Sequence, residues 1–143
     1  MKPIHILVAE DNDADVILFR EALQHHQIEH QLHVATDGQA ALDYVARMGT
    51  TPEIPCPDVM LLDLNLPKVD GPTILEEFRK HPGCQHTPVV VVTSSDAQRD
   101  KAEVAAYGPT RYFRKPSDFD AFMELGAIVR EVIDEQAQAG SVK

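Results

Sequence analysis

Val59-Met60-Leu61-Leu62-Asp63 and, further along, Val89-Val90-Val91-Val92-Thr93 are the stretches that decide the fold. Each is a short apolar run without polar alternation, closed by one polar residue. Such runs belong to strands covered by helices on both faces. Working outward, runs of strand length also stand at Ile4–Ala9, about Gln31–Ala35 and about Thr110–Arg114, which makes five predicted strands. Between and after them lie helical patterns near 14–26, 37–48, 71–80, 97–107 and 117–136, with apolar residues three or four apart, as in Val16, Phe19 and Leu23. Strand and helix alternate without repeat or low-complexity linker, so the sequence predicts an α/β fold with a parallel sheet and helices on both faces. Ser95-Asp96-Ala97-Gln98 and Ser117-Asp118-Phe119-Asp120 carry the side chains that satisfy free amides at a helix start. One domain is expected over residues 1–136, followed by a polar, disordered tail over 137–143.

Composition narrows the function. The 143 residues can bury one core but are few for two ordinary domains. Thirteen basic against 23 acidic residues give a net charge of −10, which repels a polyanion, so no nucleic-acid binding is expected. Met1-Lys2-Pro3 leads into only a six-residue apolar run, unlike a secretory signal, and no stretch approaches the roughly 20 apolar residues of a membrane span. A cytoplasmic protein without a membrane role is expected. Cys56 and Cys84 share no metal-ligand spacing and are expected to be unremarkable reduced thiols. His25, His26, His30 and His33 lie near one another in sequence, but no carboxylate or cysteine completes a metal set, and a solvated helix end explains them.

In a doubly wound sheet, ligands bind outside the carboxyl ends of the strands. The first strand ends in Glu10-Asp11, the third in Asp63, the fourth in Thr93-Ser94 and the fifth in Arg114-Lys115-Pro116. Singly, each has a bland reading, because acids favour loops, Thr caps helices and a Lys before Pro can simply face water. Four strands ending this way point to one crevice holding three carboxylates, a hydroxyl and an ammonium. Clustered carboxylates repel one another in a partly desolvated pocket unless a cation joins them. An all-oxygen set selects a hard ion, Mg²⁺, which leaves coordination positions for a phosphoryl oxygen. The spread charge of a phosphoryl group would meet the metal, Lys115 and the Thr93 hydroxyl.

Glu10-Asp11, Asp63-Leu64-Asn65-Leu66-Pro67 with Asp70-Gly71, Thr93-Ser94 and Lys115-Pro116 closely resemble the response-regulator receiver domains typified by CheY, over almost the whole chain. The resemblance implies the flavodoxin-like, doubly wound five-stranded sheet in the order 2-1-3-4-5. Within the family, the Asp-Leu-Asn-Leu-Pro-Lys wording and the lack of an output domain look most like the small regulators that serve bacterial phytochrome histidine kinases. The resemblance implies a two-component phosphoprotein in which Asp63 takes phosphate from a sensor histidine kinase. Asp11, Asp63 and the Asn65 carbonyl would ligate Mg²⁺, and Glu10 would act through a bound water. Thr93 would bind a phosphoryl oxygen and move inward, Tyr112 would swing in behind it, and Lys115 would pair with the phosphoryl group. That two-state arrangement is a switch the phosphoryl group can bias. Such a chain is not an enzyme with an independent substrate; it assists only its own phosphorylation and dephosphorylation. Glu10 stands where the family more often has Asp. Tyr107-Gly108-Pro109-Thr110-Arg111 suggests a stiffer turn than usual, and the resemblance implies a cis Lys115–Pro116 peptide.

Output through a protein contact would use the last helix and strand. Phe122, Leu125, Val129 and Val132 can face the sheet, leaving Phe119, Met123 and Ile128 toward the flanks near Tyr112. This apolar surplus serves either a homodimer or a wide patch of sheet. Two rival functions fit less well. Asp-nucleophile phosphatases carry Asp-x-Asp after their first strand, whereas here the candidate follows the third and Asn65 replaces the second acid. A flavodoxin-like cofactor binder needs an amide-rich loop after the first strand, where Glu10-Asp11-Asn12-Asp13 would repel a phosphate.

Overall fold

The computed structural model describes residues 3–64, 66–94 and 98–141. Asn65 and the Ser95-Asp96-Ala97 part of the predicted cap lie outside the described residues. Five parallel strands, β1 (Ile4–Ala9), β2 (His30–Ala35), β3 (Val59–Leu62), β4 (Val89–Thr93) and β5 (Arg111–Arg114), pair in the order β2-β1-β3-β4-β5. Between and after them come α1 (Asp13–His25), α2 (Gly38–Arg47), α3 (Gly71–Lys80), α4 (Gln98–Ala105), α5 (Phe119–Phe122) and α6 (Glu124–Ser141). The expected α/β doubly wound sheet is thus observed, with strand ends within about a residue of those read from the apolar runs.

Alternation along each strand divides the core between two layers. Leu7, Ala9, Met60, Leu62, Val89 and Val91 face α2, α3 and Val104 of α4. Ile6, Val8, Val59, Leu61, Val90, Val92 and Phe113 face α1, α5 and α6. Every residue of β3 and β4 is buried, which is why these strands contain no polar residue until the sheet's carboxyl edge. Asn12, Asp37, Asp70 and Asp118 each place a side-chain oxygen on an amide of the first helical turn, so helices start immediately beyond the strand ends or the loops that follow them. Asp118 is the capping residue of the Ser117-Asp118-Phe119-Asp120 segment.

Several expectations fail for identifiable reasons. The final helix is broken at Met123, whose carbonyl is hydrogen-bonded by the His26 ring at 3.0 Å. Met123 is consequently buried against the α1 side, at 5% exposure, rather than displayed on a flank. Phe119 is exposed as expected, whereas Ile128 is partly buried against the same cluster. Helix α6 continues to Ser141, past the predicted stop at 136, because Ala137, Gln138 and Ala139 are good helix formers and no capping glycine precedes Gly140. No cis peptide occurs among the described residues, so Lys115–Pro116 is trans, the ordinary preference even before proline. Cys56 and Cys84 are joined as a disulfide, with Cα atoms 6.1 Å apart. Sequence separation concealed this pair, since the loops entering β3 and β4 meet only once those strands are adjacent.

Two contacts fix the helices and loops around the sheet. Arg79 of α3, half-buried, donates to the carbonyls of Tyr107, Gln85, Thr87 and Gly108. It therefore ties together the two loops that lead into β4 and β5. Gly126 of α6 lies so close to α1 that an added Cβ would stand 2.3 Å from the Ala22 carbonyl oxygen and 2.4 Å from the His26 ring.

Replacing Arg79 with Met keeps much of the aliphatic stem but strands four carbonyls, and should cost about 2–3 kcal/mol in urea denaturation. Gly126→Ala should also destabilise, by about 1–3 kcal/mol, although alanine is the better helix former. A stability gain in Gly126→Ala would refute the close approach of α1 and α6.

Candidate functional site

The apolar strand interiors stop together at one edge, and the polar residues that follow converge there. Glu10 directly follows β1 and is buried at 1% exposure; Asp63 directly follows β3 at 7%; Thr93 closes β4 at 5%. Lys115 directly follows β5, held in register by its backbone amide, which donates to the Thr93 carbonyl at 2.8 Å. The Asp63 amide donates to the Ala9 carbonyl and the Glu10 amide to the Ala35 carbonyl, each at 3.0 Å, so sheet pairing continues into the site.

Lys115 Nζ lies 2.6 Å from Glu10 Oε1, 2.8 Å from Asp15 Oδ2 and 3.2 Å from Asp63 Oδ2. Burial pulls its ammonium toward deprotonation, but the bonds to Asp15 and Glu10 and the charge of Asp63 outweigh that and hold it above the ordinary lysine range. Burial pushes the Glu10 carboxyl up to about 7, opposed by its bond to Lys115 and reinforced by the charge of Asp63. Glu10 Oε2 also accepts from the Asn12 amide at 3.2 Å.

Glu10, Asp11 and Asp63 each offer a carboxylate oxygen, all within 4.8 Å of one another. Glu10 Oε1 is buried next to the Lys115 charge but has no well-directed hydrogen bond. An all-oxygen set with one such under-bonded oxygen fits a hard divalent cation. Beside Lys115 opens a cleft of about 470 Å³ lined by Ser94, Arg114, Lys115, Pro116, Ser117 and Asp118, which gives access from solvent.

Glu10, Asp11, Asp63 and Lys115 are thus brought together, with Thr93 at the neighbouring strand end. Tyr112 stands one residue pair back on β5, 37% exposed, with its hydroxyl donating to the Lys101 carbonyl at 3.4 Å and the Lys101 ammonium 5.7 Å from its ring centre. It is directed outward, against α4. Asp15 is the site residue that sequence reading missed. Asp15 lies in the first turn of α1, where acids are commonplace, and attention rested on the apolar face. The available signal was that α1 begins at Asp13, just past the end of β1, so that Asp15 in its first turn lies beside the site.

Because Glu10 titrates near 7, a cation must displace its proton at lower pH. Divalent-cation affinity measured by calorimetry should level off above pH 7 and fall by up to about tenfold per pH unit below it, with proton release on binding. Glu10→Gln should abolish that pH dependence. Without metal, a raised carboxyl pKa contributes stability fully present below about 4.5 and lost as pH rises through 7, so Glu10 alone makes the metal-free protein less stable across that window.

The response regulator receiver domain family matches residues 6–126. The response regulator Rcp1 of Synechocystis sp. is 41% identical over 98 residues, covering 68% of this chain and 67% of that protein. The phosphorylated cyanobacterial phytochrome response regulator RcpA superposes with a TM-score of 0.80 at 31% identity, covering 91% of this chain and 93% of that one. The Mn²⁺-bound form of Rcp1 superposes with a TM-score of 0.77 at 35% identity, covering 88% and 91%. Among the described residues no helix is long and apolar enough to cross a membrane. The chain therefore belongs to the response-regulator receiver-domain family of two-component systems, CheY-like in fold and related to phytochrome response regulators.

Proposed function

We propose that this chain is a cytoplasmic response regulator that accepts a phosphoryl group on Asp63 from a sensor histidine kinase of the phytochrome type, in a Mg²⁺-dependent reaction. The observation that supports this most directly is the placement of the Lys115 ammonium 3.2 Å from Asp63 Oδ2, with Glu10 and Asp11 grouped on Asp63. Relatives whose structures are described as phosphorylated and as Mn²⁺-bound add weight to both halves of the reading.

In this reading Glu10, Asp11 and Asp63 would hold the cation, with the Asn65 carbonyl expected as a further ligand from the family resemblance, and the ion would supply positive charge to the incoming phosphoryl oxygens. Asp63 supplies the nucleophilic oxygen, since it is buried at a strand end and cannot turn away. Lys115 donates to the phosphoryl group and balances the charge added when the product forms. Thr93 offers its hydroxyl to another phosphoryl oxygen. Its movement toward that oxygen vacates space behind it, and Tyr112, now resting outward on Lys101, turns into that space. The chain acts on no separate substrate and so is a switch rather than an enzyme. The signal leaves through a protein partner or a homodimer formed on the side of β5 and the C-terminal helices, where Tyr112 of β5 and Phe119 of α5 are exposed at 37% and 53%.

Incubation with acetyl phosphate and Mg²⁺ should yield one phosphate adduct by intact mass. The adduct should be absent without Mg²⁺ and absent in Asp63→Asn. An adduct that survives Asp63→Asn would move the acceptor elsewhere, and none in any condition would leave a receiver fold without receiver chemistry.

A further inference from the structure

Among the described residues, Asp15 contacts the candidate site through Lys115. Its carboxylate oxygen Oδ2 is 2.8 Å from Lys115 Nζ, and it is absent from the group of three acids that share a cation-sized space. The side chain is aimed by local structure: Asn12 caps α1 and accepts from the Asp15 amide at 3.2 Å, which sets Asp15 in the first turn directly over the strand ends. Lysine has three N–H donors, and here three carboxylates, Glu10, Asp15 and Asp63, face them. A phosphoryl oxygen can gain a donor from Lys115 only when one of these acceptors yields.

Two of the three yield as part of the proposed chemistry. A bound cation would draw on Glu10 and Asp63, and the Asp63 carboxylate gives up its anionic oxygen when it is phosphorylated. In that step an Asp63 oxygen forms the bond to phosphorus, the bond from phosphorus to the bridging oxygen of acetyl phosphate breaks, and acetate leaves with the electron pair. No proton need be supplied. Asp15 is untouched by any of this and keeps its hold on the ammonium.

Resting on the reading of Asp63 as acceptor, we propose that Asp15 is a brake: a positioning residue that competes with the phosphoryl group for Lys115 and slows phosphorylation. Its negative charge, 2.8 Å from Lys115, also repels an anionic donor that approaches that ammonium, so both effects act in the same direction. Removal of the charge should speed the reaction, an outcome that a purely structural role for Asp15 would not produce.

The test is the second-order rate of phosphorylation by acetyl phosphate at fixed Mg²⁺, in the full chain. Asp15→Asn and Asp15→Ser should each react about fivefold faster than wild type, the scale expected for loss of one partly exposed ion pair. Ser serves as the second neutral variant should Asn impair folding, which melting curves would reveal. Asp15→Glu, whose longer stem still reaches Lys115, should stay near the wild-type rate, and Mg²⁺ affinity should change less than about twofold in all three. Neutral variants no faster than a normally phosphorylated wild type would overturn the brake, as would Asp15→Glu reacting as fast as Asp15→Asn. A folded wild type that takes no adduct would instead sink the acceptor reading on which the brake rests.

Discussion

One ammonium among carboxylates sets the terms for the rest of this molecule. Lys115 stands within 3.2 Å of Glu10, Asp15 and Asp63, with Asp11 close by, so four carboxyl groups gather around one ammonium at the edge of an apolar core. Placing unpaired charge against a core is costly, and removing one member leaves the others uncompensated. The fold tolerates the cluster because it lies at the sheet's carboxyl edge, where strand hydrogen bonding ends and solvent enters through the adjoining cleft. The remaining excess of negative charge is what makes the edge receptive to a divalent cation.

That constraint explains the asymmetry of the strands. β3 and β4 are apolar throughout and then become polar within one residue, because the same strand must first seal two helix layers and then present a functional group. Precision at the edge comes from elements far from it. Arg79, on α3, ties the loops entering β4 and β5 and so limits how those strands can slide. Gly126 lets α6 close onto α1, the helix that carries Asp15. Tyr112 and Lys101 form a separate, exposed contact that can rearrange without disturbing either core layer.

Local pattern carried much of this architecture. Alternation of short apolar runs with helical spacing determined the five strands and the order of elements, though not the break of the last helix at Met123, and the polar residues closing four runs marked the edge where Glu10, Asp11, Asp63, Thr93 and Lys115 meet. These features were legible because burial on both faces forbids polar residues inside a strand, so polarity returns only where the strand leaves the core. Of the capping side chains, Asp118 was read from the sequence, whereas Asn12, Asp37 and Asp70 emerged with the structure. The strand order 2-1-3-4-5 came from likeness to a family, because neighbouring strands in a sheet need not neighbour one another in sequence.

What only the tertiary structure decided are the contacts across large sequence distances. Asp15 and Lys115 are a hundred residues apart and meet because α1 starts just past β1, at the same edge of the sheet where β5 ends. Cys56 and Cys84 meet because β3 and β4 are adjacent. Met123 faces inward because His26, from another helix, takes its carbonyl and breaks the periodic face that the sequence suggested. By itself the sequence determined which residues must leave water and which can stand at an edge, since those follow from local period and polarity. Which of those edge residues share a proton, a charge or a bond depended on packing, because such partners are chosen by distance in space and leave no periodic trace along the chain.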